Sequence, residues 1–87
     1  MTAVIEARSS DTPILTSHSR VRLIPAAPSL WRVLDSAGIV IGHLQQVAHA
    51  DGIRFRARRF HRPSRSLRDI GQFWSADEAV ECLRFAR

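Results

Sequence analysis

Residues 39–61 read IVIGHLQQVAHADGIRFRARRFH, two strand-like runs on either side of a tight turn. Ala50-Asp51-Gly52 supplies the turn, because an Asp-Gly pair suits the backbone geometry that a two-stranded hairpin demands. After it, Ile53-Arg54-Phe55-Arg56-Ala57-Arg58 alternates strictly between apolar and cationic side chains. A period of two puts three guanidinium groups on one face of a strand and the apolar groups on the other. Before the turn, Ile39 to Val47 opens with β-branched residues that favour extended backbone. Gly42 inside this run marks either a bulge or a close approach by another chain.

The flanking segments extend the pattern. Leu30-Trp31-Arg32-Val33-Leu34-Asp35 has strand chemistry and runs into the turn residues Ser36-Ala37-Gly38. Beyond His61 the polar loop Arg62-Pro63-Ser64-Arg65-Ser66 leads to a further short strand, Leu67 to Phe73. Ser75 followed by Glu78 then forms a capping box that starts a helix. Asp77 and Glu78 in its first turn, with Arg84 and Arg87 in its last, complement the helix dipole. Ala76, Ala79, Val80, Leu83 and Ala86 make the apolar stripe that packs on the sheet.

The expected fold is therefore α+β: a small antiparallel β-meander of three to four strands packed on one C-terminal α-helix. It occupies residues 30–87 as a β-β-β-β-α domain. Residues 1–29 read differently. Ser9-Ser10-Asp11-Thr12-Pro13 and Thr16-Ser17-His18-Ser19 are turn-rich, and Pro25-Ala26-Ala27-Pro28 is a stiff spacer. This section is expected to be a flexible N-terminal arm, mobile or partly docked, with Val21 to Ile24 able to add a short strand.

One helix covers one face of such a sheet, and an antiparallel sheet tolerates water on the other. With Ile53, Phe55 and Ala57 turned to the helix, Arg54, Arg56, Arg58 and Phe60 face outward, and Arg68 on the next strand joins them. The chain carries 13 arginines and no lysine, with a net charge of +5. A GC-rich genome accounts for arginine over lysine but not for clustering. Seven arginines (Arg54, Arg56, Arg58, Arg59, Arg62, Arg65 and Arg68) fall within fifteen residues that hold no acid. A clustered positive face is the electrostatic footprint of a polyanion, with nucleic acid the first candidate.

Other function classes have less to stand on. The single Cys82 excludes an internal disulfide, sits on the helix stripe as a half-buried thiol and fits a reducing cytoplasm. No signal sequence or membrane-length apolar run is present, so a soluble cytoplasmic protein is expected. His18, His43, His49 and His61 have no metal-ligand spacing among themselves or with Cys82. There is no glycine-rich phosphate loop and no nucleophile with a nearby base, and Asp35, Asp51 and Asp69 read as turn or strand-end residues. No catalytic residue, metal or cofactor is expected, and the chain is not expected to be an enzyme. Trp31 reads as core, and Trp74 as a lid over the helix end.

Ile70-Gly71-Gln72-Phe73-Trp74-Ser75-Ala76-Asp77-Glu78-Ala79-Val80 resembles the strand-to-helix junction of the plant ethylene-response-type DNA-binding domain and of the related arm-binding domains of phage and transposon tyrosine integrases. Residues 40–47, 53–60 and 67–73 line up with the three strands of those families. The resemblance covers roughly half the chain and implies a three-stranded sheet that enters the major groove. Carried over by position, Arg54, Arg56, Arg58 and Arg68 would face the DNA. The outer tryptophans of the plant family have no counterpart on these strands, and Leu30 to Asp35 has no equivalent there.

The functional expectation is a small basic protein that binds duplex DNA. Arg59, Arg62 and Arg65 would contact phosphate, while Arg54, Arg56, Arg58 and Arg68 approach the groove. The alternative is a protein-protein interaction module that docks an acidic partner, such as a regulatory or phage-derived accessory factor. RNA ranks lower, for want of two stacking aromatics on the sheet. A single sheet of this size buries little DNA surface, which is compatible with a dimer.

Overall fold

The computed structural model describes residues 12–15 and 20–85. Ala86 and Arg87 at the end of the helix pattern, His18 with its turn-rich neighbours, and Ser9 to Asp11 lie outside the described residues. The chain forms five strands and one helix: β1 Arg22–Ala27, β2 Leu30–Leu34, β3 Val40–His49, β4 Gly52–His61, β5 Ser66–Phe73 and α1 Ala76–Phe85. The strands lie in one antiparallel sheet in the order β1-β2-β3-β4-β5, so each pairs with its neighbour in sequence.

The α+β meander on a C-terminal helix is as the pattern predicts, with one strand more than the three to four expected. The additional strand is β1, in the section read as an arm. Pro25 to Ala27, read as a spacer, belongs to it: Pro25 pairs with Trp31, and a register shift before Ala27 leads into the turn at Pro28-Ser29. Proline is tolerated there because β1 is an edge strand, where a missing N–H leaves no ladder bond broken.

The turns follow their residues. The loop between β3 and β4 is Ala50-Asp51, and Gly52 opens β4 with a positive φ of 131°. Between β2 and β3 the Asp35 carboxylate accepts from the amides of Ala37 and Ile39, both at 2.9 Å, around Gly38 at φ 84°. α1 begins as its capping serine requires: the Glu78 amide donates to Ser75 Oγ at 3.1 Å.

The core comprises Trp31 and Val33 of β2, Leu44 of β3, Ala57 of β4, and Ala76, Ala79, Val80 and Leu83 of α1. Register places Trp31, Leu44, Ala57 and Gly71 side by side in one row across four strands. The helix lies against β3, β4 and β5. On the same side Leu15 packs on the core, and Thr12 Oγ1 accepts a hydrogen bond from Trp31 Nε1 at 3.1 Å. Gly42 is a point of close approach between sheet and helix. A Cβ there would lie 2.2 Å from the Arg58 carbonyl oxygen and 2.8 Å from a Leu83 methyl. It also sits beside a bulge, because Val33 pairs with Gly42 and Leu34 with Val40, leaving Ile41 unpaired with β2. The bulge expected at this glycine is present, and the close approach comes from β4 and α1 of the same chain rather than from another chain.

Candidate nucleic-acid interface

Directly paired residues on neighbouring strands share a face, so the register assigns each arginine that lies on a strand. Ala57 is in the core and Phe55 packs against it, which turns Arg54, Arg56 and Arg58 to the face away from the helix, as the alternation predicts. There Arg58 has His43 on one side, and His43 has Arg32 beyond it, giving the row Ile24-Arg32-His43-Arg58-Asp69. The adjacent row is Leu30-Gln45-Arg56-Gln72. A third pairs Val47 with Arg54. Phe60 also lies on this face, half-buried beside Leu67.

Arg68 does not join them. A bulge in β5 makes Ala57 pair with Gly71 but Arg58 with Asp69, so Ile70 is the extra residue and the alternation slips by one. Gly71, at φ 153°, supplies the backbone conformation beside it. The slip moves Arg68 to the helix side, opposite Arg59, and puts Asp69 among the outward arginines in its place. Arg62 and Arg65 occupy the exposed β4–β5 turn, with the Arg65 amide bonded to the Arg62 carbonyl at 3.1 Å. Arg59 and Arg62 line a shallow groove of about 320 Å³ with Arg84, over Ile41 and Leu83. The seven clustered arginines therefore divide among an outer face, a helix side and a turn.

The outward side chains are held in defined positions. Arg54 donates to Asp51 at 2.7 Å, and its guanidinium lies 3.8 Å from the centroid of the Trp74 ring. Arg56 reaches Asp69 at 3.3 Å. His49 Nε2 and the Gln72 side-chain oxygen are 2.8 Å apart. Arg32 and Arg58 make no ion pair among the described residues. His43 between them has its pKa lowered below the ordinary 6.5, first by burial and then by the charges of Arg32 and Arg58.

Trp74 differs from expectation. It is not a lid: 61% of it is exposed, and Arg54 on the outer face covers one side of its ring. Phe73 before it packs on the core opposite Phe55, so strand alternation carries Trp74 to the arginine side. Reading β2 by the same rule would have found Arg32, since Trp31 and Val33 flank it and both are buried. The full row needed the register, which no local pattern contains. No cluster of three or more metal-binding side chains occurs among the described residues, and none of their helices is long and apolar enough to cross a membrane.

No protein-family model matches this chain, and neither a curated protein nor a solved structure does.

Proposed function

We propose that this is a small DNA-binding protein whose sheet, on the face away from the helix, takes the phosphate backbone. The observation that carries the reading is the composition of that face: Arg32, His43, Gln45, Arg54, Arg56, Arg58 and Gln72 on paired strands, with Asp51 and Asp69 the acids among them. Guanidinium groups and amides donate to phosphate oxygens, and the unpaired Arg32 and Arg58 have charge to give. The packing of the helix on β3, β4 and β5 is in keeping with the resemblance of residues 70–80.

The additional strands change how such a sheet would sit. Strands are spaced about 4.8 Å apart, so five of them span roughly 19 Å, whereas the major groove is about 12 Å wide. The whole sheet is too broad to lie flat in the groove. It bridges phosphate ridges instead, a mode that tolerates sequence.

Fluorescence anisotropy with a random-sequence duplex, titrated across salt, tests the proposal. Binding that weakens with salt is expected, the log–log slope falling by about 0.9 for each phosphate engaged. Arg58→Ala, at the centre of the face, is expected to weaken binding more than Arg22→Ala on the edge strand β1. Equal effects would remove the sheet face from the interaction. Absence of binding at low salt would dismiss nucleic acid and leave an acidic protein as the partner.

A further inference from the structure

We infer that the nucleic acid taken by this face carries unpaired nucleotides, one of whose bases stacks on Trp74. The inference rests on the nucleic-acid reading above and names the class of strand. Two independent observations support it. The first is the indole itself: Trp74 is 61% exposed at the end of β5, while the other tryptophan, Trp31, is 3% exposed in the core. A large aromatic surface left in water is costly, and Trp in such a setting is suited to contact.

The second is its company. Arg54 lies 3.8 Å from the ring centroid and covers one side, and Asp51 holds that guanidinium at 2.7 Å. The ring is thereby fixed in orientation before any ligand arrives, with Arg54 as its backing. A nucleobase laid on the opposite side would complete a three-layer stack of guanidinium, indole and base. Its 5′ or 3′ phosphate would then fall toward the charge of Arg54 and Arg56 on the same face. Paired bases inside a duplex keep their faces against one another and offer no surface to such a platform. The width of the sheet points the same way, since a flexible single strand can cross several β-strands where a rigid duplex meets only ridges.

The experiment compares a blunt duplex with the same duplex carrying a short unpaired tail, reading anisotropy and tryptophan emission together. Trp31, being buried, keeps its emission and serves as the internal reference. The tailed duplex is expected to bind about tenfold more tightly than the blunt one and to quench the Trp74 emission. Trp74→Ala should remove that advantage, bringing the tailed duplex down to the affinity of the blunt one, and Trp74→Phe should keep part of it. The retained blue-shifted emission of Trp31 reports that both variants are folded. Equal binding of the two duplexes without quenching would overturn the stacking site and leave the backbone reading intact. A proportional loss of both affinities in Trp74→Ala would assign the indole to holding Arg54, and also overturn it. Failure of either duplex to bind at low salt would overturn the nucleic-acid reading itself.

Discussion

Gly42 shows how much a single missing side chain can decide. Its α-carbon faces a backbone carbonyl on β4 and a methyl of Leu83 on α1, and neither has room to spare. Gly42→Ala is expected to destabilise the protein by about 1–3 kcal/mol, because the helix or β4 must shift to admit a methyl group. Urea denaturation followed by circular dichroism measures this, and an unchanged midpoint would mean that the sheet and helix are less closely joined than their geometry indicates. His43 makes the corresponding point for charge. Its folded pKa lies below 6.5, so at pH values beneath 6.5 the unfolded chain takes up a proton that the folded chain resists. Its contribution to stability is complete above 6.5 and is lost as pH falls toward the lowered value. His43→Gln should therefore flatten the dependence of the denaturation midpoint on pH in that window, compared with the unsubstituted protein.

The elements differ in how far they declare themselves. α1 is fully local: the serine cap, the first-turn acids and the apolar stripe are all written within residues 75–85, and Ser75→Ala should cost about 1 kcal/mol by removing the acceptor for the Glu78 amide. A thermal melt monitored at the helical band checks this. β2, β3 and β4 were equally legible, because their alternation or β-branching lies between turns with defined backbone needs. β1 was legible only in its first half, where Val21 to Ile24 offer a short strand; the proline and two alanines that follow carry no period, and only pairing with β2 extends the strand through them. β5 was legible as a strand but not in its facing. The bulge at Ile70 exchanges the sides of Arg68 and Asp69, and a one-residue slip leaves no trace in composition. The candidate site shares this limit. Arg54, Arg56 and Arg58 were readable from one strand, while Arg32 and His43 join them only through cross-strand neighbours. Trp74 looked like a lid because its position before a helix cap says nothing of which side of the sheet it leaves from.

At the scale of the molecule, the sheet has one side that carries the core and one that carries Arg32, Arg54, Arg56 and Arg58, and their separation follows from how the core side is covered. α1 lies over β3, β4 and β5, while Leu15 and the Thr12–Trp31 hydrogen bond add cover from the other end of the chain. Nothing among the described residues crosses the arginine side, so the same sheet is core on one surface and open on the other. The order of its strands also governs how quickly such a sheet can assemble. Every ladder joins sequence neighbours, so no strand waits for a long loop to close, and closure entropy is small at each step. Folding should accordingly be fast for a β-rich domain. The β3–β4 hairpin has the two longest strands and a two-residue loop, which makes it the natural nucleus, whereas α1 has no surface to settle on until the hairpin exists. In stopped-flow kinetics Leu44→Ala should chiefly slow refolding and Val80→Ala chiefly hasten unfolding. The strand that bears the arginines would then be among the first parts of the protein to acquire its shape, and the tryptophan beside them among the last.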